Sequence, residues 1–330
     1  LDLDPVGPWH LVRPIGERYF FMAILIMNIM TGEPNEWRAA IQAELPDLDV
    51  RFMPDAGDTS DIRYLAFGKP DFDALPELPN LQLMLTRQAG VDGFINHPKR
   101  PKTPLTKLEP EGGDPMMTEY VVMHVLRLHR NMIDYQNQQA QKLWKPLQQH
   151  RPEDRRIGFL GLGTLAKKPA DILVQLGFDV ASWTRSPREA AGITCYHGAG
   201  QLESFLNRTD IAVCLLPLTP DTKGIFRSET LAMMPAGAML INIGRGEHVV
   251  DDDLIAALDS GHLSAAALDA TSPEPLPQDS PLWTHPRVAV LPHVARRPNV
   301  AQLAPQIIAN IKRFEAGKPL LQEIDFTSGY

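Results

Sequence analysis

The chain has 330 residues, a formal net charge of -8, 44% hydrophobic residues and 22% charged residues. A chain of this length usually forms two domains, with room for a ligand cleft between them. The net negative charge of the chain, and the lack of a basic run interleaved with aromatic residues, argue against nucleic acid or an anionic membrane as a partner. We therefore expect a small-molecule ligand, held by individually placed cations if it is an anion.

The two cysteines, Cys195 and Cys214, lie in strongly apolar stretches of the sequence. Their spacing fits neither a metal site nor a redox pair, so we interpret both as buried thiols in a reducing compartment. This interpretation predicts a cytoplasmic protein without a bound metal.

The beginning of the sequence superficially resembles a secretory signal, because Arg18 precedes an apolar run from Tyr19 to Met30. No small-residue cleavage pattern follows, and the run is too short to span a bilayer. Residues 23–27 are better interpreted as a buried first strand. We predict that residues 1–21 are an N-terminal extension and that Met22 is the natural start.

From Met22 onward, strand-like apolar runs alternate with helical patterns, which predicts an α/β protein with parallel sheets. The first strand is followed by a predicted helix at 36–44 and by strands near Val50, at 64–67 and at 81–85. A Pro-rich basic stretch at 97–104 is predicted to be a loop and the crossover between domains.

A long helical pattern begins near Met117 and runs toward Trp144. Its exposed flank is a plausible subunit contact, although covering the sheet of its own domain explains the pattern equally simply. We expect a homodimer.

Further strands are predicted in the second half of the chain, at 156–160, 179–183, 211–215, 238–243, 264–268 and 288–291. One intervening helix is predicted at 251–259, and the tail at 299–316 reads as an amphipathic helix that returns to the N-terminal domain. The sequence therefore predicts two doubly wound parallel-sheet domains, a Rossmann domain inserted in a smaller flavodoxin-like domain. The boundaries are 114–296 for the inserted domain, with 1–113 and 297–330 forming the other.

A glycine turn connects the strand at 156–160 to the following helix, with Gly161 and Gly163 in a Gly-x-Gly-x-x-Ala pattern. The first glycine permits a tight turn, and the second lets the backbone approach a pyrophosphate at the helix N-terminus. We predict a dinucleotide site that includes Thr164 and Leu165. Pro169 is discordant, because a proline beyond the first helical turn removes a backbone hydrogen bond.

The end of the next strand sets the choice between the two nicotinamide cofactors, since an acidic residue there would bind the ribose 2′-hydroxyl. The residues at this position are Trp183, Thr184, Arg185 and Ser186, and none of them has a carboxylate. Arginine and hydroxyl groups can instead donate to a 2′-phosphate. We predict NADP(H) as the preferred cofactor, with NAD(H) possible; the alternative is a solvated loop that happens to contain arginines.

Three segments after later strands each carry one polar group suited to hydride transfer to a ketone. Arg245 offers a bidentate fork for a carboxylate and its neighbouring carbonyl. Histidine is the side chain whose chemistry suits an acid near neutral pH, so His293 could protonate the ketone oxygen, and Glu274 would favour its imidazolium form and fix the ring. We predict that these three residues form the catalytic set.

Several segments together resemble the D-isomer-specific 2-hydroxyacid dehydrogenases over nearly the whole chain from Met22. They are Ala89-Gly90-Val91-Asp92, Met117-Thr118-Glu119-Tyr120, Trp144-Lys145-Pro146, the glycine turn, Leu216-Pro217-Leu218-Thr219, Gly244-Arg245-Gly246, Glu274-Pro275-Leu276-Pro277 and Pro292-His293. The resemblance implies an enzyme that reduces a small 2-keto acid, with Arg245 binding substrate and His293 acting as acid/base beside Glu274.

The resemblance also implies the remaining site residues. Backbone amides around Ala89, Gly90 and Val91 would bind the substrate carboxylate in a substrate domain. In the dinucleotide-binding domain, further cofactor contacts would come from Leu216, Pro217, Ile243, Gly244 and Asp269.

The substrate loop departs from the family pattern at Arg87 and Gln88, which precede the Ala-Gly pair where relatives usually carry small residues. This departure leaves a different, bulkier 2-keto acid open as substrate. A non-catalytic nicotinamide-sensing module is the alternative from another class of protein. A complete Arg, Glu and His set favours an enzyme, because a pure binding protein has no use for a proton donor.

Overall fold

The computed structural model describes residues 22–28, 31–108 and 113–326. The predicted N-terminal extension therefore lies outside the described residues. The chain divides into two units, Leu1–Leu108 with Pro298–Tyr330, and Glu109–Arg297.

The first unit is built on strands β1 (Ala23–Met27), β2 (Asp49–Phe52), β3 (Ile62–Phe67), β4 (Leu83–Thr86) and β5 (Leu105–Lys107). All are parallel, in the order β2-β1-β3-β4-β5, which is the predicted flavodoxin-like arrangement. Every residue of β1 and β4 is buried. Burial on both faces of a parallel sheet explains why these strands read as uninterrupted apolar runs.

One face of this sheet is covered by helix α1 (Pro34–Gln42) and by the C-terminal helix Val300–Glu315. Trp37 and Ile307, one from each helix, are buried in the same apolar cluster as Ile24 of β1. The prediction that the tail returns to the N-terminal domain is confirmed.

The elements of the second unit are α2 (Pro115–His129), α3 (Met132–Ala140), β6 (Arg156–Leu160), α4 (Thr164–Gln175), β7 (Asp179–Thr184), β8 (Ile193–His197), α5 (Leu202–Asn207), β9 (Ile211–Cys214), α6 (Ser228–Ala232), β10 (Ala238–Asn242), α7 (Asp251–Asp259), β11 (Leu263–Leu268) and β12 (Val288–Val290). The C-terminal helix described above is α8.

The sheet of the second unit is entirely parallel, in the order β12-β11-β10-β9-β6-β7-β8. The strand order reverses between β6 and β9. This is the Rossmann arrangement with one additional strand, and ligands of such sheets bind outside the carboxyl ends of the strands at the reversal. The predicted fold class is confirmed for both sheets.

The long helix predicted from Met117 toward Trp144 is wrong as a single element, because the structure contains α2 and α3 instead. Asn131 separates them with a φ of +56°, a left-handed conformation that asparagine tolerates better than most residues and that interrupts the helix. Since α3 ends at Ala140, Leu143 and Trp144 lie beyond it, with 49% and 99% of their surface exposed.

Two strands, β5 and β8, were not predicted. β5 has three residues and directly follows the Pro-rich stretch, and β8 is an edge strand of which only Ile193 is buried. Among the described residues, no helix is both long and apolar enough to cross a bilayer. In the same part of the chain, no group of three or more His, Cys, Asp or Glu side chains is arranged to hold a metal.

Candidate active site

The glycine turn lies at the carboxyl end of β6, next to the strand-order reversal. Gly161 has a φ of +93°, and a Cβ at this residue would lie 3.2 Å from the carbonyl oxygen of Leu215. Its N–H donates to the carbonyl of Trp183 at 2.9 Å. Glycine is therefore required here for both conformation and space.

The second glycine begins helix α4. Gly163 is the N-cap, and no heavy atom lies within 4 Å of the position that its Cβ would occupy. Thr164 and Leu165 follow in the first turn, where backbone N–H groups have no partner inside the helix. An anion can therefore approach these amides closely. Pro169 is buried farther along α4, where it removes one N–H from the helical hydrogen bonds.

The end of β7 forms a short ordered loop. Thr184 is buried, and its hydroxyl donates to the Ser186 carbonyl at 2.8 Å, while the Trp183 indole donates to the Gly198 carbonyl at 2.8 Å. Arg185 and Ser186 are exposed at the tip of this loop. The Thr184 hydroxyl therefore stabilises the loop that presents Arg185.

Arg188 connects this loop to the glycine turn. Its guanidinium donates to the Leu162 carbonyl at 2.8 Å. The two predicted phosphate-binding segments are thus held against each other.

Glu274 follows strand β11, His293 follows strand β12, and their side chains lie beside each other. The His293 Nδ1 atom is 3.0 Å from each carboxylate oxygen of Glu274. Because an ionised carboxylate only accepts hydrogen bonds, Nδ1 carries the hydrogen, and Nε2 is the ring nitrogen that can exchange a proton. Both side chains are nearly half exposed, at 46% and 42% of their surface, so this pair is accessible to a ligand.

Asp269 organises the backbone around this pair. It is 2% exposed, and its carboxylate accepts hydrogen bonds from the Tyr120 hydroxyl at 2.8 Å and from the amides of Val294 and Ala295 at 2.8 and 3.1 Å. Its carbonyl accepts from the His293 N–H at 2.9 Å. Burial, and then the charge of Asp269, raise the pKa of Tyr120, so the phenol remains a hydrogen-bond donor.

Arg245 lies in a tight loop after β10. The buried Asn242 side chain donates to the Arg245 carbonyl at 2.8 Å, and the guanidinium donates to the Gly244 carbonyl at 3.0 Å. The preceding Ile243 is 6% exposed. A Cβ at Gly246 would lie 2.0 Å from the Thr271 carbonyl carbon, so only glycine fits beside that segment.

Leu216 and Pro217 follow β9, the strand next to the glycine turn. Leu216 is buried, and the Pro217 carbonyl accepts a hydrogen bond from the Thr222 hydroxyl at 2.7 Å. This segment therefore has a defined conformation at the strand-order reversal.

The predicted substrate loop belongs to the first unit. Ala89, Gly90 and Val91 follow β4, and the Val91 carbonyl accepts from the amides of Phe94 and Ile95 at 3.0 and 2.9 Å. Val91 is 1% exposed, whereas Ala89 and Gly90 are partly exposed. The loop is thus anchored at its C-terminal end and accessible at the Ala-Gly pair.

Comparison with known proteins identifies the family. Residues 122–295 match the family model described as "D-isomer specific 2-hydroxyacid dehydrogenase, NAD binding domain". Glyoxylate/hydroxypyruvate reductase A of Yersinia enterocolitica is 39% identical over 92% of this chain and 100% of its own length. The enzyme of the same name from Serratia proteamaculans is 38% identical, with the same coverage. The chain belongs to the D-isomer specific 2-hydroxyacid dehydrogenases.

Solved structures of the family agree with this assignment. A D-isomer specific 2-hydroxyacid dehydrogenase of Xanthobacter autotrophicus Py2, in complex with NADPH and MES, has a TM-score of 0.86 and 38% identity, covering 93% of this chain and 99% of that one. An NADPH-dependent glyoxylate/hydroxypyruvate reductase of Sinorhizobium meliloti, in complex with NADP and sulfate, has a TM-score of 0.86 and 33% identity, covering 94% and 100%. The prediction of a nicotinamide-dependent 2-hydroxyacid dehydrogenase is therefore confirmed.

Within this 2-hydroxyacid dehydrogenase, the structure brings His293, Glu274 and Asp269 into one hydrogen-bonded group, with Arg245 after the adjacent strand β10. The residues that sequence reasoning missed are those that hold this group. Tyr120 lies in a segment that carries the family resemblance but was given no role, and neither Asn242 nor His248 was predicted to belong to the site. Asn242 could have been found from the sequence, because it is the one polar residue in the otherwise apolar strand β10.

Proposed function

We propose that this 2-hydroxyacid dehydrogenase reduces a small 2-keto acid of the glyoxylate or hydroxypyruvate type, using NADPH. Arg245 binds the substrate carboxylate and carbonyl, His293 is the acid/base, and Glu274 is its partner. The observation that carries the proposal is the His293–Glu274 pair, with Nδ1 3.0 Å from both carboxylate oxygens at the carboxyl end of the sheet.

The residues of the second unit fit a dinucleotide. The open space at Gly163 and the first-turn amides of α4 suit a pyrophosphate, and the exposed Arg185 suits a 2′-phosphate. Leu216, Pro217 and Asp269 would flank the nicotinamide, and Ile243 and Gly244 would also contact the cofactor. When bound, the reduced nicotinamide supplies the hydride for the reaction.

The side chains of this chain supply binding and proton transfer. Arg245 offers paired N–H donors that match a carboxylate and its neighbouring carbonyl, so the keto acid is oriented and its carbonyl polarised. The His293 Nε2 proton moves to the substrate oxygen as that oxygen gains charge. Glu274 stabilises the imidazolium and fixes the ring through Nδ1. In the first unit, the backbone amides of Ala89, Gly90 and Val91 stay proposed ligands of a substrate carboxylate.

The cofactor preference is supported by two related structures, which hold NADPH and NADP. The small substrate is supported by the names of the curated relatives, which are glyoxylate/hydroxypyruvate reductases. We further propose that the unit at 114–296 binds the dinucleotide and that the other, at 1–113 and 297–330, binds substrate. A cytoplasmic location stays a prediction.

A panel of keto acids tests the proposal. We expect oxidation of NADPH with glyoxylate and hydroxypyruvate, at a higher kcat/KM than with phenylpyruvate or with NADH as the reductant. A clear preference for phenylpyruvate would favour the bulkier-substrate alternative. Tight NADPH binding without turnover on any keto acid would favour the sensing module and overturn the proposed reaction.

We also propose a homodimer formed through α2, α3 and the segment after them. Met123, Leu126, Met132, Leu143 and Trp144 are exposed apolar side chains of this region. Covering such a surface removes apolar area from water, which favours association. Light scattering should give the mass of two chains, and Trp144→Ser should weaken the dimer; a monomeric wild-type protein would contradict this proposal.

A further inference from the structure

His248 lies directly beneath the loop that carries Arg245. Its side chain is 0% exposed and belongs to the short 3-10 turn Gly246–His248. The Nδ1 atom is 3.0 Å from the Arg245 backbone nitrogen, and the Nε2 atom is 3.3 Å from the Pro217 carbonyl oxygen. One buried ring thus contacts both the substrate-binding loop and the segment after β9.

These contacts define the protonation of the ring. The Arg245 amide can only donate, so Nδ1 must accept, and the Pro217 carbonyl can only accept, so Nε2 must carry the hydrogen. The Cys214 sulfur is 3.5 Å from Nδ1, and burial raises the pKa of this thiol to about 12, so its S–H can also donate to Nδ1. The ring is therefore neutral, with one defined tautomer.

The surrounding backbone holds the ring in place. A Cβ at Gly244 would lie 2.8 Å from both Cε1 and Nδ1 of His248, so the glycine allows the close approach. The His248 N–H donates to the Arg245 carbonyl at 3.2 Å, and the His248 carbonyl accepts from the Phe226 N–H at 2.9 Å. The ring has little freedom to move without moving Arg245.

We infer that His248 is a positioning residue that holds the backbone of Arg245 through Nδ1 and that of Pro217 through Nε2, so that substrate binding depends on one of its hydrogen bonds and cofactor seating on the other. The inference rests on the proposed roles of Arg245 and of the Leu216–Pro217 segment. His248 is too deeply buried to contact substrate or cofactor itself. Its two ring nitrogens serve two different binding steps, so these steps can be separated by substitution.

Two conservative variants make this separation. In His248→Asn the side-chain oxygen can replace Nδ1 as acceptor for Arg245, but the amide is too short to reach Pro217. In His248→Gln the longer amide can donate to Pro217, but it leaves the Arg245 amide without its acceptor. The loss of one hydrogen bond of this kind corresponds to about a three- to tenfold change in a binding constant.

The experiment measures the Kd of NADPH without substrate, and the KM of the keto acid at saturating NADPH, for both variants. We expect His248→Asn to weaken NADPH binding about three- to tenfold and to keep the keto-acid KM, and His248→Gln to do the reverse. Thermal unfolding checks that both variants fold. His262→Gln is the control, because the His262 Nε2 atom also contacts a backbone carbonyl, that of Leu231 at 2.9 Å, but at the amino end of β11.

Wild-type values for both constants in both variants would overturn the inference, as would equal changes of both constants in each variant. If the wild-type protein turned over no keto acid, the proposed function would fail. The NADPH Kd values of the two variants would then still test whether the Pro217 contact supports cofactor binding, and equal Kd values in the two variants would overturn the inference.

Discussion

His293 is held at two points, with Glu274 contacting its ring and Asp269 contacting its backbone. Its Nδ1 atom lies 3.0 Å from both oxygens of Glu274. Its backbone has a φ of +52°, and the N–H of the same residue donates to the Asp269 carbonyl at 2.9 Å. A left-handed conformation is uncommon for residues other than glycine and persists when the surroundings determine it, so the position of Nε2 is set by the fold.

Removing the imidazole should abolish most turnover while leaving cofactor binding intact. His293→Asn should lower kcat about 100- to 10,000-fold, the range for loss of a general acid or base. Its Kd for NADPH, measured by fluorescence titration, should match that of the wild type.

Glu274→Gln is the matched variant, because its amide oxygen can still accept from Nδ1 but carries no charge. Its kcat should lie between those of the wild type and His293→Asn. A His293→Asn variant with nearly wild-type kcat would be incompatible with the proposed mechanism.

The Tyr120 hydroxyl should contribute to stability through Asp269. Tyr120→Phe removes one of three donors to a buried carboxylate, so the free energy of unfolding should fall by about 1.5–3 kcal/mol. Chemical denaturation measures this change. Tyr135→Phe is the control, because the Tyr135 hydroxyl contacts the exposed segment at Leu147 and Gln149. An equal loss of unfolding free energy in Tyr135→Phe would show that the Tyr120 contact with the buried Asp269 carboxylate has no particular importance.

The sequence predicted the strands that are buried on both faces, because burial leaves continuous apolar runs such as 23–27. It did not predict β8, in which only Ile193 is buried and which therefore gives no such run. The break between α2 and α3 was missed as well, since it depends on one left-handed residue, Asn131, within a helical pattern.

The same contrast applies to the site. Arg245, Glu274 and His293 were predicted because their chemistry is visible in the residue type and in their position after strands. Tyr120 contacts Asp269 across 149 positions of sequence, through the packing of α2 on the sheet. Contacts of this kind arise only when the chain has folded, so their residues carry no local signal.

Arg185 should determine part of the cofactor preference. Arg185→Gln removes the charge at the tip of the loop after β7, so the KM for NADPH should rise about tenfold, the effect of losing one charge-assisted hydrogen bond. The KM for NADH is the internal control and should stay unchanged. Thr184→Asp would introduce the acidic residue that binds a ribose 2′-hydroxyl. It is a less clean test, because it also removes the hydrogen bond from the Thr184 hydroxyl to the Ser186 carbonyl and so disturbs the loop. Equal increases of both KM values in Arg185→Gln would contradict the assignment.

His124 should make the protein less stable at acidic pH. Burial, and then the charge of Arg127, lower the pKa of His124 from its ordinary value of 6.5 to about 4. The unfolded chain therefore takes up a proton on this residue at a higher pH than the folded chain does. The contribution is fully present above pH 6.5 and is lost as the pH falls toward 4.

The free energy of unfolding should therefore fall by on the order of 2 kcal/mol between about pH 7.5 and about pH 5 through His124 alone. His124→Leu should remove this part of the decrease, while the buried His129, whose pKa is also lowered by burial, retains its own part. His197→Leu is the control, because His197 is exposed. Urea denaturation at the two pH values measures the change, and an unaltered decrease in His124→Leu would show that the buried ring is not its source.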